Sequence, residues 1–90
     1  MAKAVVDPQE LRRFANNVKQ FNNGLQDAMR KLQGQFSALG ESWQDQEQKK
    51  FAEQFEETMR ILARFAKTAD EQIPYLIRKA DRAEEYLRQR

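Results

Sequence analysis

Apolar residues recur along this chain in alternating steps of three and four. From residue 11 they run Leu11, Phe14, Val18, Phe21, Leu25, Ala28 and Leu32, with Phe36 and Leu39 continuing after a small phase slip at Gln35. A second series reads Phe51, Phe55, Thr58 or Met59, Leu62, Ala66, Ala69, Ile73, Leu76, Ala80, Ala83 and Leu87. Such spacing puts a narrow apolar stripe on each of two helices, the pattern of a coiled-coil seam.

The helix ends carry their own signals. In "VDPQEL" Asp7 is a good N-cap, Pro8 fits the first helical position, Glu10 has capping-box spacing, and Val6 and Leu11 stand at hydrophobic-staple positions. Gly40 follows the last periodic residue, where glycine commonly ends a helix. Asp45 can cap the second helix with Gln48 at the box position, and Ser42 is the rival cap. The reading is an all-α chain with one domain over residues 1–90: a helix over about 8–39, a turn at 40–45, a helix over about 46–73, and a helical tail over about 75–88.

Two places resist the pattern. "FNNGL" at 21–25 would elsewhere signal a turn, and Gly24 costs about 1 kcal/mol against alanine inside a helix. The stripe nevertheless keeps phase from Phe21 to Leu25, which a turn would not preserve, so one helix over about 8–39 is expected, with a bend or local weakness at 22–24 as the alternative. Pro74 lacks an N–H and would clash with the carbonyl of Asp70, so a kink or restart is expected there. If the chain folds back at residue 42, Pro8 lies 34 residues before the turn and Leu76 34 after it. Residues 75–90 would then overhang the first helix by up to about 24 Å.

Composition narrows the chemistry. The chain has no cysteine and no histidine, which removes disulfides, thiolate metal sites, the commonest general base and the commonest metal ligand. An enzyme is not expected, and neither is a cofactor. Glu53, Glu56 and Glu57 form the densest acidic patch, but they are read as a solvated helix face because no second ligand type accompanies them. Glu56–Arg60 and Glu84–Arg88 have favourable i,i+4 spacing.

The net charge of +2 is unevenly placed: +3 over residues 1–39, −3 over 40–73 and +2 over 74–90. Opposite signs on the two helices suit their packing together. They do not make the basic stripe that nucleic acid requires. No secretory signal core or membrane-spanning stretch is present in the sequence. Arg78, Lys79, Arg82, Arg88 and Arg90 crowd the tail beside Leu76, Ile77 and Leu87. With Asp81, Glu84 and Glu85 interleaved, a partner's groove suits this helix better than a membrane.

Two antiparallel helices meet along one line and leave the flanks of Phe14, Phe21, Phe36, Phe55 and Phe65 partly wet. Pairing of two such hairpins into a four-helix bundle covers them. The expected seam is Leu11, Phe14, Val18, Phe21, Leu25, Leu32, Phe36, Phe51, Phe55, Met59, Leu62 and Ile73, and the partner is an identical chain or a related hairpin.

The stretch "LGESWQD", residues 39–45, places the only tryptophan, Trp43, at the break between the helices. With two long helices in a chain of this length, and Phe51 eight residues after the tryptophan, it resembles the WXG family of early secreted antigenic target type. The resemblance implies a dimeric helical hairpin carried by bacterial type VII secretion and exported without a cleavable signal peptide. It also implies that Gly40, Trp43 and Asp45 form a turn read by a secretion ATPase. Asp45 stands where the family has glycine, and a capped helix start can replace that glycine. The family's C-terminal Tyr-x-x-x-Asp/Glu signal is missing, since Tyr75 is followed four residues on by Lys79 and Tyr86 by Arg90. Carriage by a partner that bears the signal is therefore one reading of export. The bland role for Trp43 is to fold over Leu39 and the first turn of helix two. The alternative function is a coiled-coil adaptor or chaperone-like bundle that stays in the cytoplasm.

Overall fold

The computed structural model describes residues 6–89. Helix α1 spans Pro8–Leu39 and helix α2 spans Gln46–Arg88, and the two run antiparallel as a hairpin. Their ends follow local chemistry. The Asp7 carboxylate accepts from the Gln9 N–H at 2.9 Å with Pro8 opening the first turn. The Asp45 carboxylate accepts from the Gln48 N–H, also at 2.9 Å, so Asp45 and not Ser42 caps α2. Gly40 stops α1 without the left-handed conformation that favours glycine, because its φ is −63° and its ψ −14°. The chain leaves the helix through ordinary turns instead: Gly40 N–H donates to Phe36 O and Ser37 O, and Ser42 N–H to Leu39 O.

The molecule measures 68 × 17 × 16 Å, with a radius of gyration of 20.3 Å. A compact chain of this length would have a radius of about 12 Å. The core is therefore a line and not a volume. Its buried members are mostly small: Pro8, Ala15, Ala66, Ala69 and Ala80, with Met59 and Asn22. Small side chains let two helix backbones approach closely, and each contributes little apolar area. Such a hairpin has little to hold it beyond one seam.

Helix α2 continues through Pro74, which lies inside it, so the expected restart is not seen. Contacts on both sides of the proline hold the helix to α1: Ala66 and Ala69 before it, and Ala80 after it, are buried. The overhang also needs correction. Phe36–Phe55, Asn22–Asp70 and Arg12–Asp81 are each centred on about residue 46, not 42. The six-residue connection shifts the register toward the C-terminus, so α1 reaches Glu84, which bonds Arg12. The turn-like residues at 22–24 do not interrupt the first helix, as the unbroken stripe predicts. Helix α1 is continuous there, and Asn22 is one of the most enclosed residues of the chain.

Candidate functional site: an apolar flank and the aromatic turn

Two lines of residues compete for the inside of α1. Pro8, Ala15, Asn22, Met29 and Phe36 recur every seven residues and face α2; the first three are buried and the last two half-buried. Leu11, Val18 and Leu25 lie beside them, half-buried. Phe14 and Phe21 lie one position further round and are 57% and 60% exposed, and Leu32 is exposed too. The stripe expected to be the seam is thus the edge of the seam plus an open flank.

Helix α2 repeats the arrangement. Met59, Ala66 and Ala80 are buried on the seven-residue line that includes half-buried Ile73, while Phe55, Leu62 and Leu76 are half-buried beside it. Phe51 and Phe65 stand two heptads apart on the outer edge and are exposed. The outer edges of the two helices fall on the same side, because Phe21 and Phe65 meet edge to face with ring centroids 6.3 Å apart. Phe14, Val18, Phe21, Phe65, Ala69 and Leu76 line one shallow trough on that flank. Asn17, Thr68 and Gln72 complete its wall, so no charged residue lines it.

The opposite flank carries charged residues and the ion pairs between the helices, and toward the closed end a second trough lined by Met29, Phe36, Phe55, Met59 and Ala63 together with Glu56 and Arg60. The Arg12 guanidinium donates to Asp81 at 2.7 Å and to Glu84 at 2.6 Å. The bond to Asp81, and then that to Glu84, raises the pKa of Arg12 above its already high ordinary value. Asn22 donates to Ala66 O at 2.7 Å and to the Asp70 carboxylate at 2.8 Å. Glu84 is engaged by Arg12 and Arg60 by Glu57, so the i,i+4 pairs expected from spacing give way to these. Among the described residues the ion pairs between helices belong to Arg12. Its partners lie in the tail and not in the acidic 40–73 stretch.

At the hairpin's closed end Trp43 is half-buried. Its backbone N–H donates to Leu39 O at 3.0 Å, and the Gln44 side-chain amide donates to Gly40 O at 3.1 Å. The indole lies on Phe51, with centroids 6.0 Å apart and planes 36° apart. Phe51 in turn meets Phe55 at 5.9 Å and Phe36 at 5.6 Å. Leu39, which sequence reasoning places beneath the indole, stays exposed. The turn residues Gly40, Trp43 and Asp45 are thus held by caps and an aromatic ladder.

The tail residues divide. Leu76 and Ile77 are half-buried, Ala80 is enclosed, and Leu87 is exposed beyond the start of α1. Leu76 belongs to the apolar trough already described. Arg90 lies outside the described residues. No group of three or more Asp or Glu that could hold a metal occurs among the described residues, and no described helix is long and apolar enough to cross a membrane. Sequence reasoning missed Asn22 and Arg12. The signal for Asn22 was its place in the seven-residue series Pro8, Ala15, Asn22, Met29, Phe36.

An elongated antiparallel hairpin with an aromatic turn and one uncovered apolar flank is the architecture of small helical-hairpin proteins with a central tryptophan. The chain belongs to the WXG100 family, described as proteins of 100 residues with WXG, whose model matches residues 4–86. Its fold is that of the secreted protein EsxB from Bacillus anthracis strain Sterne: the TM-score is 0.79 at 26% identity, over 96% of this chain and 98% of that one. A glutamate-to-glutamine point mutant of EsxB matches with a TM-score of 0.79 at 27% identity, over 96% of each chain. A glycine-to-alanine point mutant matches with a TM-score of 0.78 at 26% identity, over 94% of this chain and 98% of that one. Among curated proteins, none matches.

Proposed function

We propose that this chain acts as one half of a pair of helical hairpins and is exported as that pair by a type VII secretion system. The apolar flank carries the reading. Phe14, Phe21 and Phe65 are more than half exposed in a single hairpin, and a row of aromatic side chains along a helix pair calls for a second apolar surface. A second copy of the chain is the simplest occupant, because the uncharged wall of the trough offers nothing to repel it. Export is supported by membership of the WXG100 family and by likeness to a secreted protein. The Gly40–Asp45 turn with Trp43 is the surface proposed for a secretion ATPase.

Sedimentation equilibrium and native mass spectrometry test the pairing. Phe21→Ser with Phe65→Ser should yield a monomer that keeps its helical hairpin, since both rings are largely outside the seam. A parent chain that remains monomeric at the highest concentration both methods reach removes the proposal of self-pairing. Export is tested in a host with a type VII system, where Trp43→Ala should reduce secretion more than its loss of stability explains.

A further inference from the structure

The backbone of the turn is well anchored, but the Trp43 ring has one aromatic wall. The Trp43 backbone N–H, the Gln44 amide and the Asp45 cap fix the chain on either side of the indole. The ring itself meets a single aromatic neighbour, Phe51. Phe51 has two roles by position. Inward, it is packed on Phe36 and Phe55, which pair with each other at 4.8 Å. Outward, it is 42% exposed and shares its face of α2 with Phe65, two heptads on. The residue that holds the tryptophan is therefore part of the flank to which a second hairpin would bind.

We propose that Phe51 is a positioning residue for Trp43, and that a second copy of the chain closing over the apolar flank completes the seat of the indole. This rests on the pairing proposed above. In a lone hairpin the indole has an aromatic wall on one face only, that of Phe51. In the pair, Phe51 loses its freedom to move outward and the indole is held in one orientation. A receptor that reads the turn would then distinguish assembled pairs from unpaired chains without contacting the flank. The ladder supplies the link, because aromatic rings packed at about 5–6 Å transmit a displacement of one to the next.

Trp43 is the only tryptophan, so its fluorescence reports on this seat alone. Acrylamide quenching and time-resolved anisotropy are measured across a dilution series, with native mass spectrometry giving the fraction paired. Quenching should rise about twofold or more as pairs dissociate and the ring loses its restraint. Phe21→Ser should produce the same rise at high protein concentration. Phe21 lies 18 residues before the end of α1, about 27 Å along the axis, and does not touch the ladder. Phe51→Ala should show high quenching whether paired or not, and Phe51→Tyr should restore the concentration dependence. Pairs that dissociate with no change at Trp43 overturn this inference and leave the pairing intact. A chain monomeric at every concentration overturns the pairing and this inference together.

Discussion

Asn22 on α1 and Asp70 on α2 are joined by a hydrogen bond of 2.8 Å from the amide nitrogen to a carboxylate oxygen. The second N–H of the same amide bonds the Ala66 carbonyl, and the amide oxygen is buried with no protein partner. A polar side chain at 0% exposure in so thin a core trades stability for a defined pairing of the two helices.

Asn22 is the first test. Asn22→Ala should destabilise the chain by about 1–2 kcal/mol, because two hydrogen bonds and packing are lost while Ala66 O keeps its helical bond. Asn22→Asp should cost about 3 kcal/mol or more at neutral pH, since the new carboxylate would face two acceptors. Burial and the charge of Asp70 raise the pKa of the introduced carboxyl in the folded chain above its unfolded value. Its stability is therefore retained in acid and lost as pH rises toward and through the folded pKa. Urea titrations at about pH 4 and about pH 7, compared with the parent chain, check the sign. Equal losses at both values would contradict the assigned contacts.

The Arg12 clamp gives a prediction in salt. Arg12→Gln should loosen the free ends of the hairpin, and the parent should approach the variant as ionic strength rises. The guanidinium stays charged at all accessible pH, so titration of Arg12 itself plays no part. Hydrogen exchange of residues 9–15 and 77–84 is the readout. Matching protection in the two proteins at low salt would show the clamp to be inert.

Truncation after Ile73 has a different expected outcome from that of a free overhang. It removes buried Ala80 and both partners of Arg12. The shortened chain should lose helicity at the start of α1 as well as its own tail, and melt at lower temperature. Circular dichroism at fixed protein concentration decides it, since pairing makes melting concentration-dependent. A truncated chain as helical per residue as the parent would restore the overhang.

Three small changes probe the turn and the helix backs. Trp43→Ala should leave helicity nearly unchanged and cost about 1–2 kcal/mol for a half-buried indole. Gly24→Ala meets nothing within 4 Å and should stabilise by about 1 kcal/mol. Gly40→Ala would place a methyl 3.3 Å from Ser37 O at an ordinary φ, so its effect should stay within about 1 kcal/mol. Chemical denaturation ranks all three; a large loss at Gly40 would mean the turn is tighter than its dihedrals indicate.

Much of the architecture is local and legible in the sequence. Apolar residues at helical spacing state that helices exist, and Asp7, Pro8, Gly40 and Asp45 state where they begin and end, because capping is an interaction of neighbours in the chain. The unusual place of Trp43 also marked the turn. What tertiary structure decided was which side of each helix faces inward. Hydropathy favours Phe14 and Phe21, but the heptad line of Pro8, Ala15, Asn22, Met29 and Phe36 takes the seam, where small residues bring the backbones closest, and those two phenylalanines lie on the flank. Register was equally non-local. It is set by contacts such as Phe36–Phe55, Asn22–Asp70 and Arg12–Asp81, between residues distant in the chain. The same contacts carry α2 through Pro74: a helix held on both sides of a proline can forgo one hydrogen bond, which an isolated helix of marginal stability could not.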